Sequence, residues 1–489
     1  MKELADVALD AARRRGASYA DVRLSRNTTE VVSTRERRVE NVASADSNGF
    51  GVRVLVDGAW GFAASNKVDK AEIERVAARA VEIARANRAI QRRRIALVPT
   101  ERYPNARWST PVERDPFTVP LSEKVDHLLK INEAALGVRG PGPIFVSSRM
   151  MFVKEEKYFA STEGSYIEQT LIRSWPSFTV TSVNSRTGNF EQRASFGSPV
   201  GKGYEVVAEY NLIEEAPKAV EQAIKKHEAK PVEPGRRDLV LHPTNLWLTI
   251  HESIGHPTEL DRILGYEANY AGTSFVTLAM LGKFRFASPV VNVRADKTQR
   301  FALATCGWDD DGVKTTEWDL IREGILVDLQ TVRDNAAVIG HRRSHGSSYA
   351  ENWGAIAFQR MPNVNLLPAS GNQRIGIEEL IADVEDGVYI EGDGSYSIDQ
   401  QRYNFQFGGQ VFWEIKKGKL GSMLRDVAYQ GRTPDFWNSC DAVGSRDFYM
   451  LGGAFYDGKG EPGQSNAVSH GCPPARFRRV NIINTGRRV

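Results

Sequence analysis

Asp238-Leu239-Val240-Leu241-His242-Pro243-Thr244-Asn245-Leu246-Trp247-Leu248-Thr249-Ile250-His251-Glu252-Ser253-Ile254-Gly255-His256-Pro257 is the stretch on which the reading of this 489-residue chain turns. DLVLHP is strand-like, and residues from about 243 to 256 read as a helix. Two imidazoles on that helix flank a carboxylate. Neutral imidazole nitrogens bind a metal such as zinc, and the carboxylate can take a proton from a water activated there. The spacing is HExxxH, not the familiar HExxH. At 100° per residue, positions i and i+5 lie about 140° apart and ~7.5 Å along the axis, so a straight α-helix cannot aim both histidines at one ion. The reading therefore demands a distorted terminus. Either the helix widens in a π-type turn, or it ends at Gly255 and His256 swings back, with Pro257 consistent with an end there.

Beyond this stretch the sequence consists mainly of short strands and turns, with one further helix at IEELIADV, so the second half reads as a β-rich, sandwich- or barrel-like unit that carries its chemistry on its first helix. Before it, AKPVEPGRRD sets two prolines and a glycine among charges, which marks a boundary near residues 231 to 235. The expected division is an N-terminal α+β domain over 1–230 and a C-terminal β-rich domain over 236–489. The N-terminal part opens with a helix over residues 2 to 15, where Leu4, Val7, Ala8 and Ala11 share a face. A meander of about five strands follows: YADVRLS, TEVVSTRE, VENVASA, GVRVLVDG and AWGFAAS. A helix capped by Asp69 comes next, with an apolar stripe of Ile73, Val76, Ala77, Ala80, Val81 and Ile83. LSEKVDHLLKINEAAL, strands from Phe145 to about Val180 and a helix over roughly 212 to 228 complete an α+β class.

Composition narrows the partners. Lys and Arg number 64 against 61 Asp and Glu, a net charge of +3, too small over this length to favour nucleic acid or an anionic membrane. No window reaches the ~18 apolar residues of a bilayer span, and the N-terminus lacks an apolar signal core. Cys306, Cys440 and Cys472 are too few and odd in number for a secreted disulfide framework. The expected location is the cytoplasm.

Five ordered stretches resemble the TldD/PmbA family of zinc-dependent peptidases, in its HExxxH-bearing TldD-like branch: GASYADVRL, GFGVRVLVDGAWGFAAS, HESIGHPTELDRILGYEANYAGTSF, DDDGVKTTEWDLIREGILVDLQT and GKGEPGQSNAVSHGCPPARF. Together they span nearly the whole chain. The resemblance implies Zn2+ as cofactor, His251 and His256 as ligands, Glu252 as general base, a peptide substrate, and a homodimer or a heterodimer with a PmbA/TldE-like paralogue. In the family a cysteine supplies the third ligand; here Asp457 stands at that position, in FYDGKG. A carboxylate is an acceptable zinc ligand, so Asp457 is the expected substitute. Cys472, in SHGCPP, is an alternative thiolate, and a site without metal is the other.

Two activities follow. One is zinc-dependent hydrolysis of peptides or unfolded segments, with zinc-activated water and Glu252 as base; the other is a weakly active or inactive peptide-binding subunit of a dimer. His341 and His345 have i, i+4 spacing, but Arg342-Arg343 and the Gly-Ser-Ser run read as a loop, so a substrate-contacting or solvated loop is favoured over a second metal site. His470 or Tyr456 could donate to an oxyanion, although packed, satisfied side chains are the simpler reading. The basic tail RFRRVNIINTGRR is expected to be a solvated edge strand.

Overall fold

The computed structural model describes residues 1–371 and 373–486. The first half is built on one sheet. Helix α1 (Lys2–Arg14) opens the chain, followed by β1 (Tyr19–Arg35), β2 (Arg38–Val56), β3 (Ala59–Ser65) and α2 (Lys70–Ile90). Asp69 caps α2 by accepting the Glu72 N–H at 2.9 Å. β4 (Ala106–Ser109), α3 (Leu121–Leu136), β5 (Ile144–Ser161), β6 (Tyr166–Val183), β7 (Phe190–Ala194), α4 (Val206–Glu209) and α5 (Leu212–Lys226) follow. The strand order is β3-β2-β1-β5-β6-β4, with β7 also on β6, and only β4 pairs in parallel.

The meander holds three strands rather than five. YADVRLS and TEVVSTRE are one strand, β1, and VENVASA and GVRVLVDG are one strand, β2. The polar residues between them look like turns in sequence but oppose each other across the pair: Thr28 faces Asp46, and Arg26 Nε donates to the same carboxylate at 2.8 Å. Cross-strand pairing of this kind sustains a strand through a polar stretch.

Side-chain alternation assigns the two faces of this sheet. Even-numbered Val146, Met150, Phe152, Tyr158 and Ala160 of β5 pack against the helices. Odd-numbered Asp21, Arg23, Arg53, Glu155, Lys157 and Arg173 are buried on the opposite face. There Arg53 reaches both Asp21 at 2.7 Å and Asp311 at 2.6 Å, and Lys157 reaches Asp310 at 3.2 Å. Buried charges are costly unless matched, so the pairs to Asp311 and Asp310 register the first half against the second.

β8 (Lys230–Pro231) and β9 (Gly235–Leu241) enter a second sheet, which contains ten strands among the described residues. β9 is central, antiparallel to Ala475–Asn484 and parallel to Asp386–Glu391. Over Ala475–Asn484 the basic tail is therefore an interior strand and not a solvated edge, Arg487 and Arg488 lying outside the described residues: Phe477 and Ile482 are fully buried, while Arg476 and Arg478 turn to Asp441. Its arginines balance nearby carboxylates, which hides its interior position from a reading by charge.

Helix α6 (Pro243–Ile250) leaves β9 directly. Pro243 occupies its first position and His242 Nδ1 accepts the Thr244 N–H at 3.3 Å, so proline rigidity and a cap fix where the helix starts. Leu246, Ile250 and Ile254 enter a core with Leu239, Trp437 and Phe477. Against it lies the hairpin of Met450–Lys459 and Gln464–Cys472. Gly452 permits the approach, since a Cβ there would stand 2.2 Å from Trp247. Among the described residues no helix is long and apolar enough to cross a membrane.

Candidate metal centre

α6 runs into a five-residue π turn, His251–Gly255, in which the His256 N–H donates to the His251 carbonyl. A 3-10 turn, His256–Thr258, ends it. This is the distortion that HExxxH demands. An i→i+5 bond places residues five apart on one face, and the two imidazole centroids stand 4.6 Å apart with planes at 75°. Side chains take up carbonyls that the irregular winding frees: Thr258 Oγ1 donates to Ile254 O at 2.7 Å and Gln330 Nε2 to Gly255 O at 2.6 Å. The turn is thus satisfied by hydrogen bonds.

Second partners fix both rings. His470 Nδ1 lies 2.9 Å from the Val364 carbonyl, which can only accept, so its proton sits on Nδ1. Its Nε2 is then the acceptor for His251 Nδ1 at 2.7 Å, which leaves the lone pair of a neutral His251 on Nε2. His256 Nδ1 donates likewise to Glu259 Oε2 at 2.9 Å, leaving its Nε2 lone pair free. Both Nε2 atoms point at one carboxylate oxygen: Asp457 Oδ1 lies 3.4 Å from His251 and 3.5 Å from His256. One ligand atom from each of His251, Glu252 and His256 also lies within 4.8 Å of the others. Two imidazole lone pairs and a carboxylate form a donor set that fits zinc, with the outer hydrogen bonds that orient such ligands.

Strand alternation carries the support further. Asp457 and Lys459, two apart on Met450–Lys459, serve neighbouring groups: Lys459 Nζ donates to Glu259 Oε1 and Asp261 Oδ1, each at 2.9 Å. Arg262 Nε donates to Glu259 Oε2 at 3.0 Å. Arg360, 1% exposed, donates to Asp457 Oδ2 at 3.2 Å and to the Gln464 carbonyl at 2.9 Å. Glu252 is buried, with Arg402 Nη1 3.5 Å from its Oε2. Glu259, Lys459, Arg360 and Arg402 went unnoticed in the sequence, although Glu259 follows His256 by three residues, the spacing of helix neighbours.

The electrostatics follow from burial and these pairs. Burial favours the neutral Asp457, but the two imidazoles and Arg360 outweigh it and hold the carboxyl far below the usual range. Burial opposes charge on His251 too, yet the pull of Asp457 raises it above an ordinary imidazole. For His256 burial prevails over Asp457 and Glu259, and the ring is pushed down to about 4.

The other sequence candidates do not present a free donor to the three groups. Cys472 is buried with its Sγ 3.7 Å from the Pro243 carbonyl, and burial pushes its thiol up. His470 has both ring nitrogens engaged, as the packed reading expects. Tyr456 is 64% exposed, with its hydroxyl 3.7 Å from Met151 Sδ.

Family models for PmbA/TldA metallopeptidases match the chain in three segments: domain 1 over residues 20–84, the central domain over 114–227 and the C-terminal domain over 234–484. The chain belongs to the TldD/PmbA family. A metalloprotease of Methanothermobacter thermautotrophicus is 28% identical over 470 residues, 96% of each chain. A zinc metalloprotease TldD homolog of Saccharolobus solfataricus is 23% identical, covering 96% of this chain and 97% of its own. The crystal structure of TldE from Thermococcus kodakarensis superposes with a TM-score of 0.69 at 15% identity, covering 98% of this chain and 99% of that one, and shares the fold. The expected α+β class with a β-rich C-terminal part holds. As a TldD/PmbA member the chain is a metallopeptidase, a hydrolase.

Proposed function

We propose that this metallopeptidase is zinc-dependent, holds its ion with His251, His256 and Asp457, uses Glu252 as general base, and cleaves peptides or unfolded polypeptide segments. The observation that carries the reading is the convergence of two oriented Nε2 atoms on Asp457 Oδ1 at 3.4 and 3.5 Å. Bound zinc would supply Lewis-acid polarisation of the scissile carbonyl and make a water acidic enough to attack at neutral pH. Glu252 takes the proton of the attacking water and passes it to the leaving amine. Arg402, its Nη1 3.5 Å from Oε2, keeps that carboxylate aimed. His470 and Glu259 hold the imidazoles in the tautomer that presents Nε2. The surrounding walls shield the centre from bulk solvent, since His251, Glu252, His256 and Asp457 are each at most 7% exposed.

Such a buried centre suits a flexible, extended chain better than a folded surface, and main-chain pairing along a sheet edge would bind it with broad sequence tolerance. The family resemblance supports an N-terminal unit over 1–230, a metallopeptidase unit over 236–489, and assembly with an identical or paralogous chain.

Metal content and peptide cleavage, measured together on the full chain, test the proposal. Native protein is expected to hold an equivalent of zinc at the HExxxH turn, His251→Ala to lose that equivalent, and Glu252→Ala to keep it while losing cleavage. Zinc-replete protein that carries none would leave a peptide-binding subunit as the reading.

A further inference from the structure

A second convergence of imidazole and carboxylate lies apart from the HExxxH turn. Asp328 follows the short strand Ile325–Leu326, and its Oδ1 accepts the Leu329 N–H at 2.7 Å, which sets the carboxylate plane. The chain then passes through a 3-10 turn, Ala336–Ile339, turns at Gly340 with φ 80°, and returns through His341 and His345. His345 is firmly seated. Its N–H donates to Thr331 Oγ1 at 3.1 Å, and its ring stacks on Trp318 with centroids 4.2 Å apart and planes 2° from parallel. His345 Nε2 lies 2.9 Å from Asp328 Oδ2, and His341 Nε2 lies 3.4 Å from Asp328 Oδ1. One ligand atom from each of the three lies within 4.8 Å of the others.

A plain ion pair needs one histidine for one carboxylate; here two address it, one per oxygen, with their rings edge to face at 5.0 Å. Ligands about 2.0–2.2 Å from a tetrahedral ion stand roughly 3.4 Å from one another, so the observed separations need only a small adjustment. The outer contacts from Leu329 and Trp318 orient two of the three groups in advance, as second partners of metal ligands do. Two imidazoles select a borderline cation over the hard, oxygen-seeking calcium or magnesium. The flanking Arg343 is turned away toward Glu101, 3.5 Å from its Oε1.

We propose that Asp328, His341 and His345 form a second binding site for a borderline divalent cation such as zinc, separate from the HExxxH centre. The three side chains are 18%, 28% and 16% exposed, so the ion would keep a coordination position open to solvent. It would clip the 340–347 loop to the chain at Asp328. The site does not depend on the proposed catalytic ligands.

Equilibrium dialysis of the full chain against zinc, followed by elemental analysis, tests it. His251→Ala protein, with the other centre disabled, is expected to retain about one equivalent, and His251→Ala/His341→Ala to retain none. Should His251→Ala fail to fold, His341→Ala and Asp328→Asn in the otherwise native chain each read the same site as a loss of one equivalent, with circular dichroism unchanged. Equal zinc content in native, His341→Ala and Asp328→Asn protein, or none in folded His251→Ala protein, overturns the proposal.

Discussion

His470 Nε2 stands 2.7 Å from His251 Nδ1, so one buried histidine sets the tautomer of another 219 residues earlier in the chain. Removing that acceptor leaves the His251 proton without a partner and its ring free to rotate. His470→Ala is expected to weaken zinc binding by about 10- to 100-fold, the usual cost of losing an outer partner of a ligand. His470→Gln, whose side-chain oxygen can accept the same proton, should recover part of the loss. Chelator competition measures this; native affinity in His470→Ala protein would refute the role.

Asp457, the proposed third ligand, gives a second prediction. Asp457→Ala removes a donor and leaves Arg360, 1% exposed, without its carboxylate, so zinc affinity should fall at least about 100-fold with some loss of stability. Asp457→Cys supplies a thiolate, a softer and stronger zinc donor, and should hold the ion at least as tightly as the native chain. Zinc titration of the two variants decides. An Asp457→Ala protein that binds zinc normally would show that the third ligand lies elsewhere.

What the sequence disclosed was local. The stripes of α1 and α2 and the Asp69 cap lie within a few residues of one another, and the need for a distorted turn followed from the 100° step alone. What it concealed was long-range. Thr28 and Asp46 look like turn residues until β1 and β2 pair, and the basic last strand looks solvated until Asp441 and Asp238 meet its arginines. At the metal centre the motif named His251, Glu252 and His256, whereas Asp457 came only from the family likeness. Lys459, Arg360 and Arg402 reach the site from 97 to 200 residues away, a distance at which no spacing rule operates.

Gly255 closes the π turn where a Cβ would stand 2.4 Å from Met361 Sδ. Met361 is 1% exposed, so its thioether has little room to yield, and Gly255→Ala should cost about 1–3 kcal/mol. The strain acts on the turn that holds both imidazoles, so zinc affinity should drop with it. Met361→Ala clears the space, and the double variant should lose less stability than the two single losses combined. Thermal unfolding of the four proteins gives the coupling directly, and strict additivity would count against the clash.

Stability should also depend on pH through Asp309, which belongs to neither proposed ligand set. Burial and the neighbouring Asp311 push its carboxyl up to about 7 from the ordinary 3.8, despite the opposing Lys297 and hydrogen bonds from Val313 and Ser348. The folded state therefore holds a proton that the unfolded chain has released. The stabilising contribution is complete below about pH 4 and declines as pH rises, at up to about 1.4 kcal/mol per unit, until it is gone near pH 7. Asp309→Asn cannot titrate. Chemical unfolding of native and variant protein between pH 5 and 8, compared as a difference, should show the native chain losing ground up to about pH 7 and the gap holding constant above it. A difference that does not change with pH would place the Asp309 proton outside the folding equilibrium.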